Sequence, residues 1–232
     1  MLENNKVYII KNGVKTRIFS EEELSGIEIF ITGKNNVIEL GENCTFRNTK
    51  LKVEVDSSHV TIGNNTVMHN MTISMNSGYE QRLEIMDNNT FWGGKIILRD
   101  STHLKICKES IFAAGLSMWT CDAHTIFDLD TKEVLNENPD MLEIGEHCWV
   151  GADTHFLKKG SIARDTVVAM SSVITKPFTE PNTVIGGYPA KVLRRNIGWS
   201  RHTIWNYKKI FLNETKGEKN VRSNYKRNEK SK

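Results

Sequence analysis

The chain has 232 residues, of which 38% are hydrophobic and 25% charged, a balance typical of one globular domain with a short appendage. No stretch approaches the ~20 apolar residues that a membrane span needs. The start, MLENNKVYIIKNG, has too short an apolar run for a signal peptide. The four cysteines show neither paired nor metal-type spacing, which predicts a reduced, cytoplasmic protein without a metal.

The net charge of +3 is unevenly distributed along the chain. Residues 1–190 carry 18 Lys and Arg against 25 Asp and Glu, whereas residues 191–232 carry 13 against 3. A basic end on an acidic body suits nucleic acid, an anionic membrane surface or a phosphorylated small molecule. We predict a basic, partly disordered extension over 196–232, because its composition offers little to bury. Lys191, Arg194 and Arg195 adjoin ordered-looking sequence, and we favour the phosphorylated small molecule as their ligand.

After an N-terminal segment, residues 1–26, a similar unit recurs loosely along the chain. It reads LGENCTF at 40, IGNNTVM at 62, MDNNTFW at 86 and ICKESIF at 106, at spacings of 22, 24 and 20 residues. Asn and Gly in GEN, GNN and DNN supply the left-handed backbone conformation that tight corners need.

An interruption follows, which we place at residues 118–143 and which includes MWTCDAHTIFDLDTKEVLNENPDML. It is too long for a corner and too polar for another repeat. Long insertions in a repeat scaffold usually carry function or lack order. The apolar residues distributed through it, such as Trp119 and Phe127, favour an ordered loop that forms one wall of a site.

From residue 144 the chain divides into six hexads: IGEHCW, VGADTH, FLKKGS, IARDTV, VAMSSV and ITKPFT. Each begins with a large apolar residue, and the first five have a small residue in fifth place. A helix would repeat at three and four and a half-buried strand at two. A period of six instead fits short strands joined by tight corners, three per coil, with every sixth side chain pointing inward. Such coils bury a continuous core only by stacking.

This pattern resembles the hexapeptide-repeat acyltransferases, over residues 27–195. The resemblance implies an all-β fold, a left-handed parallel β-helix of hexapeptide repeats with one protruding loop and a short C-terminal extension. CDAHTIFD followed by IGEHCWVGAD is similar to the branch that O-acetylates capsular polysaccharide, lipopolysaccharide and sialic acid. In that branch the histidine is the catalytic base, which implies this role for His124. Asp122 either orients its imidazole or caps a turn.

The same branch has a tryptophan beside the catalytic histidine, which implies that Trp149 lines the acetyl and acceptor site; subunit packing is the alternative. The stretch from Val167 to Arg201 resembles the coenzyme-binding end of the family. Acetyl-CoA would lie between adjacent coils, with its phosphates near basic side chains. The resemblance implies these donor-binding residues: Ala152, Met170, Thr175, Lys176, Lys191 and Arg194.

Two positions depart from the family pattern. Met170 stands where the family has a small residue, which would narrow the groove or change the donor. Gly93 and Gly94 lie about where some sugar acetyltransferases have an asparagine, so no acceptor-binding residue is transferred from those relatives.

The favoured function is transfer of acetyl from acetyl-CoA to a sugar hydroxyl of a bacterial surface polysaccharide. Three alternatives stay open: acetylation of an amino sugar or a small molecule, a γ-type carbonic anhydrase, and a non-catalytic scaffold. The carbonic anhydrase needs three converging histidines, and His147 and His155 do not show ligand spacing with His124. Relatives form trimers with shared sites, which implies a homotrimer with Trp149 near the interface.

Overall fold

The computed structural model describes residues 4–18 and 24–212. They form short strands and one helix. The elements are β1 (Lys6–Lys11), β2 (Val14–Ile18), β3 (Ile27–Ile31), β4 (Val37–Leu40), β5 (Thr45–Arg47), β6 (Thr49–Val53), β7 (His59–Ile62), β8 (Val67–His69), β9 (Met71–Met75), β10 (Arg82–Ile85), β11 (Thr90–Phe91), β12 (Gly94–Leu98), β13 (His103–Ile106), β14 (Ile111–Phe112), β15 (Leu116–Trp119), β16 (Met141–Ile144), β17 (Trp149–Val150), β18 (His155–Phe156), β19 (Val167–Val168), β20 (Val173–Ile174), β21 (Val184–Gly187), β22 (Ala190–Arg194) and α1 (Ile204–Phe211).

The strands belong to three sheets that the chain visits in turn, coil after coil. The first sheet contains β1, β2, β4, β7, β10, β13 and β16; the second contains β5, β8, β11, β14, β17, β19, β21 and β22; the third contains β3, β6, β9, β12, β15, β18 and β20. Strands of successive coils pair in parallel, whereas the hairpins β1–β2 and β21–β22 are antiparallel. This is the all-β parallel β-helix that the hexads predict.

The core is a set of stacked columns of apolar side chains. The first residue of each hexad is buried, as predicted: Ile144, Val150, Phe156, Ile162, Val168 and Ile174 are at most 4% exposed. Phe91 and Phe112 stack with ring centroids 4.5 Å apart. Every sixth side chain therefore points inward because one tight corner separates each inward position from the next, on the neighbouring sheet.

One predicted repeat position was wrong by one residue. Ile85, not Met86, pairs with Ile62 in the preceding coil and with Ile106 in the following one. Ile85 is fully buried, whereas Met86 is partly exposed at the start of the corner. The error arose because two large apolar residues stand side by side, and only pairing between coils decides which one faces inward.

The corner between the first and second sheets uses a left-handed residue in every coil. Asn43, Asn65 and Asn88 have φ of 54°, 55° and 62° at this position. Their side-chain amides form a ladder, with Asn43 donating to Asn65 at 3.4 Å and Asn65 to Asn88 at 3.1 Å. Asparagine tolerates this conformation better than most residues, which confirms the reading of the Asn-rich corners.

The chain divides into two compact units, residues 1–197 and 198–232. In the second unit, helix α1 is capped by Thr203, whose hydroxyl accepts a hydrogen bond from the backbone N–H of Asn206. This helix lies within the extension over 196–232 that is predicted to be partly disordered, and residues 213–232 of that extension fall outside the described residues. None of the helices in the described part of the chain is long and apolar enough to cross a membrane.

Candidate active site

The predicted interruption is an ordered loop, slightly narrower than its predicted bounds. It leaves the third sheet after Trp119 and enters the first sheet at Met141. Phe127 and Val134 form an antiparallel bridge, and Leu135 donates a backbone hydrogen bond to Ile126 at 2.8 Å. The loop is therefore a small hairpin that extends from the corner between the third and first sheets.

His124 lies at the base of this hairpin with an exposed side chain. Its carbonyl oxygen accepts a hydrogen bond from Asn136 Nδ2 at 2.8 Å, and Ala123 before it has φ of 66°. Within residues 4–18 and 24–212, no hydrogen bond reaches the imidazole ring. The backbone of His124 is thus fixed while its ring nitrogens remain available to a substrate or to another chain.

The base of the loop is anchored on Lys158, which is only 8% exposed. Its ammonium lies 2.5 Å from Asp122 Oδ2 and donates to the carbonyl of Asn136 at 2.6 Å. Asn136 Nδ2 also donates to Asp122 Oδ2 at 3.1 Å. A buried ammonium needs such partners, because losing its hydration is costly. We call Asp122, Asn136 and Lys158 the loop anchor.

The loop anchor keeps Asp122 ionised. Partial burial alone would raise the pKa of this carboxyl, but hydrogen bonds from Lys158 and Asn136, with the charges of Lys158 and Lys159, outweigh burial and lower the pKa. Asp122 contacts Lys158 and Asn136, and among the described residues no hydrogen bond joins it to the imidazole of His124. Sequence reasoning missed Lys158 and Asn136; only the pairing of β15 with β18 places Lys158 next to the departing loop.

Trp149 lies in the second sheet with its side chain outward and 46% exposed, as its hexad position predicts. It pairs with Ile111 in the preceding coil and with Val167 in the next. Because the corner between the third and first sheets lies across the core from the second sheet, His124 and Trp149 occupy different sides of one chain.

The six predicted donor residues fall into three groups. Ala152 and Met170 lie one coil apart at the corner between the second and third sheets, where Ser171 N–H donates to the Ala152 carbonyl at 2.8 Å. Thr175 and Lys176 follow β20 at the opposite edge of the third sheet. The structure therefore brings Ala152 and Met170 together, but it does not place all six residues on one face of one chain. Met170 is 66% exposed, so its side chain extends outward.

Lys191 and Arg194 form the third group, on β22 at the end of the second sheet. Arg194 pairs with Val184, which pairs with Val167, so Arg194 stands in the same column as Trp149. Arg195 is neutralised by Glu180 at 3.0 Å. Among the described residues, no carboxylate pairs with Lys191 or Arg194. These two cations are thus available to an anion, as a phosphate-binding role requires.

The histidines considered as metal ligands do not meet. His147 Nδ1 lies 2.9 Å from Asp165 Oδ1 at the corner between the first and second sheets, whereas His155 lies in β18 of the third sheet. Over the described ranges, three or more His, Cys, Asp or Glu side chains nowhere cluster in a way that could hold a metal ion.

Comparisons with known sequences and with solved structures both find polysialic acid O-acetyltransferases. No family model matches the chain. A polysialic acid O-acetyltransferase of Neisseria meningitidis is 29% identical over 174 residues, which cover 75% of this chain and 80% of that protein. The solved structure of the polysialic acid O-acetyltransferase OatWY matches 79% of this chain and 98% of its own, with a TM-score of 0.63 and 25% identity.

The chain is similar in sequence and in fold to polysialic acid O-acetyltransferases, and its β-helix is consistent with the hexapeptide-repeat acyltransferases. A second solved structure, that of the polySia-specific acetyltransferase NeuO, shares the fold with a TM-score of 0.55 at 19% identity, and the match covers 86% of this chain and 99% of that one. The β-helix is therefore a fold that the chain shares with both solved structures.

Proposed function

We propose that the chain transfers acetyl from acetyl-CoA to a sugar hydroxyl of a bacterial surface polysaccharide, with His124 as general base. The Neisseria meningitidis relative and OatWY are both polysialic acid O-acetyltransferases by name. The observation that carries the proposal is the loop between Trp119 and Met141, which leaves the regular coils. It fixes the backbone of His124 through Asn136 and leaves the imidazole exposed.

The chemistry needs one proton acceptor. The imidazole takes the hydroxyl proton as the sugar oxygen attacks the thioester carbonyl. A C–O bond forms, the C–S bond breaks, and the thiolate of CoA leaves. The imidazolium returns its proton to that thiolate, so the products are the acetyl ester and free CoA. Imidazole suits this exchange because its usual pKa of ~6.5 lies near neutral pH.

Acetyl-CoA would bind along the coils that follow the loop. Lys191 and Arg194 are cations without a carboxylate partner in the described residues, and point charges of this kind suit the phosphates of CoA. Ala152 and Met170 lie at adjacent coils, so an extended pantetheine arm would lie across them. Thr175 and Lys176, at the other edge of the third sheet, belong to this proposal by resemblance alone.

The shared site follows from the position of the two predicted catalytic residues. His124 and Trp149 lie on different sides of one chain, so a single acetyl group contacts both only where two chains meet. We therefore expect a homotrimer, with Trp149 of one chain next to the loop of its neighbour. Light scattering should give three times the 26.5 kDa of the chain.

Complementation tests the shared site directly. His124→Ala and Trp149→Ala variants should each be inactive, but co-refolding them in equal amounts should restore about one site in four, because each site then draws its two residues from different chains. Mixing that restores nothing, with both variants trimeric, contradicts the shared site without affecting the role of His124.

The activity itself is tested by incubating the protein with acetyl-CoA and a panel of oligosaccharides while free thiol is measured. Thiol release with hydroxyl acceptors, and an ester in the product by mass spectrometry, supports O-acetylation. Release only with amino sugars, giving an amide stable to mild base, supports the N-acetyltransferase alternative instead.

A further inference from the structure

Helix α1, in the second unit, exposes its apolar side chains to solvent. None of its eight residues is buried, and Ile204, Ile210 and Phe211 are 78%, 53% and 55% exposed. A short helix is marginal by itself, because most helical stability in proteins comes from packing an apolar face. A contiguous exposed apolar surface of this kind marks a site of interaction.

The apolar side chains of α1 form one broad surface that is rich in aromatic rings. At 3.6 residues per turn, Ile204, Tyr207 and Phe211 lie in the middle of this surface, with Trp205 and Ile210 at its two edges. The rings of Tyr207 and Phe211 pack against each other, with centroids 4.7 Å apart. We call this surface the aromatic helix face, formed by Ile204, Trp205, Tyr207, Ile210 and Phe211.

The two lysines of α1 hold different positions relative to the aromatic helix face. Lys208 lies between Ile204 and Trp205, within the apolar surface. Lys209 lies on the opposite side, and its ammonium is 5.3 Å from the centre of the Trp205 ring. A long lysine stem follows an apolar surface while its ammonium extends to polar groups beyond it.

The charge of the chain changes sign at the unit that contains α1. Residues 198–232 carry 10 Lys and Arg against 3 Asp and Glu, whereas residues 1–197 carry 21 against 25. The second unit therefore has a net charge of +7. A partner for the aromatic helix face has to offer an apolar layer next to a layer of negative charge.

We propose that α1 docks on the surface of an anionic lipid bilayer. The helix lies along the surface without crossing it, with the aromatic helix face among the acyl chains at the headgroup boundary. Trp205 and Tyr207 suit this boundary because each has an apolar ring and a polar group. Lys208, Lys209 and the other basic residues of the unit pair with lipid phosphates.

Lys208 favours a bilayer over a protein as the partner of α1. A protein packed on the aromatic helix face would bury the ammonium of Lys208, and such burial is costly without a carboxylate placed to receive it. At a bilayer surface the same stem reaches the phosphates. A second copy of the chain is also disfavoured, because two units of charge +7 repel each other.

Binding should require both the aromatic helix face and anionic lipid. An eight-residue helix buries too little apolar surface to bind a neutral membrane stably, so a basic segment has to add its attraction. Added salt should therefore release the protein. The inference is independent of the proposed function, because no residue of α1 belongs to the proposed site.

The test measures co-sedimentation of the full-length protein with vesicles. One set contains phosphatidylcholine alone, and the other contains equal amounts of phosphatidylcholine and phosphatidylglycerol. Wild type should bind only the anionic set. Combining Tyr207→Ser with Phe211→Ser should lower the partition coefficient about tenfold, because two rings leave the apolar layer. Tyr79→Ser is the control, since Tyr79 is an exposed tyrosine at a corner of the β-helix, and it should bind like wild type.

A second pair of variants tests the charges. Lys208→Gln with Lys209→Gln should lower the partition coefficient about tenfold as well, because two cations near the anionic surface are lost. Lys34→Gln with Lys108→Gln removes two exposed lysines of the first unit and should have little effect.

Quenching by brominated phospholipid gives a measurement that needs no loss of binding. Bromine on the acyl chains should quench part of the tryptophan fluorescence of wild type. Trp205→Phe keeps an aromatic ring and should bind anionic vesicles like wild type, but most of the quenching should disappear. Quenching that persists in Trp205→Phe would show that α1 does not enter the bilayer.

Other results would overturn the proposal. Equal binding of wild type to both vesicle sets, or binding to neither, contradicts docking on an anionic bilayer. A lower oligomeric mass of the Tyr207 and Phe211 variant by light scattering would show that α1 joins copies of the chain. Binding of a single-stranded RNA oligomer in place of vesicles, lost in the Lys208 and Lys209 variant, would identify a nucleic-acid site. Thiol release with a soluble acceptor should match wild type in every α1 variant, and a loss would place α1 in the reaction instead.

Discussion

The coils before and after the His124 loop differ in regularity. Before it, Leu40, Ile62, Ile85 and Ile106 occupy one column at unequal spacings, whereas Ile144 and Ile162 after it obey the strict repeat of three hexads. The earlier strands of the third sheet are longer, five residues in β9 and β12 against two in β18 and β20. The longer strands give the third sheet a broader outward surface before the loop, whereas the coils after the loop are tighter and end at Lys191 and Arg194.

From this difference we expect the acceptor saccharide to bind the coils before the loop and acetyl-CoA to bind the coils after it. His124, at the boundary, should matter to both. His124→Ala should lower turnover about 10²–10⁴-fold, because the hydroxyl loses its base. Binding of acetyl-CoA and of saccharide should change little. Turnover of the pure variant is measured by thiol release.

The matched control is His59→Ala, an exposed histidine of the first sheet that lies before the loop. It should keep full activity. If His124→Ala keeps more than a tenth of wild-type turnover, His124 is not the base. The loop would then no longer mark where the acceptor coils end and the donor coils begin.

The loop anchor should give the next largest effect. Lys158→Met leaves Asp122 and Asn136 without their shared cation, so the loop shifts relative to both bound substrates. A displacement of about 1 Å costs up to about 10²-fold in rate. We expect kcat to fall about 10- to 100-fold while the KM for acetyl-CoA stays unchanged, as measured by initial rates.

Lys108→Met is the control for this change, since Lys108 forms an exposed pair with Glu146 at 3.4 Å. Exposed pairs contribute little, so its kcat should stay near wild type. Lys158→Arg should restore part of the rate by keeping the charge near Asp122. Equal losses of kcat in Lys158→Met and Lys108→Met would show that the anchor has no specific role.

The donor end should respond in KM and not in turnover. Replacing Lys191 and Arg194 together with Ala should raise the KM for acetyl-CoA about tenfold, or ~1.4 kcal/mol. Turnover at saturating donor should change less, since these groups bind the ground state and transition state equally. Wild-type donor binding should also weaken with added salt.

Arg195→Ala is the matched control because Glu180 already neutralises this residue. An unchanged donor KM in the double variant, or an equal rise in Arg195→Ala, would show that the basic end is a solvated surface. That result would contradict the expectation that acetyl-CoA binds the coils after the loop.

The sequence predicted the parts of the molecule that repetition determines. The hexads from Ile144 to Ile174 reveal their inward residues because six equivalent positions agree. Met86 was misplaced because the earlier coils vary in length, and Lys158 was missed because its burial depends on a loop that departs one coil earlier. His124 and Trp149 are separated because His124 follows the third sheet whereas Trp149 lies in the second. The spacing of the two motifs along the sequence does not show on which sheet each residue lies.

The smallest expected effect concerns the corners. Coils before and after the loop both need a left-handed backbone conformation there, but they use different residue types for it. The corner between the first and second sheets has positive φ at Asn65 and Asn88 before the loop, and at His147 and Asp165 after it. Asn65→Ala should lower the free energy of unfolding by about 1–2 kcal/mol, because a Cβ-bearing residue without a local hydrogen bond strains at this φ.

Asn65→Gly separates the two contributions of the side chain. It loses the same amide ladder to Asn43 and Asn88 but adopts the left-handed conformation freely. The difference between the Ala and Gly variants in urea unfolding therefore measures the backbone strain of Ala, reduced by the larger conformational entropy that Gly loses on folding. Both should keep wild-type kcat and donor KM, since this corner lies away from the loop and from β22. A loss of activity equal to that of the donor-end variants would mean that the coils before the loop also support the donor site.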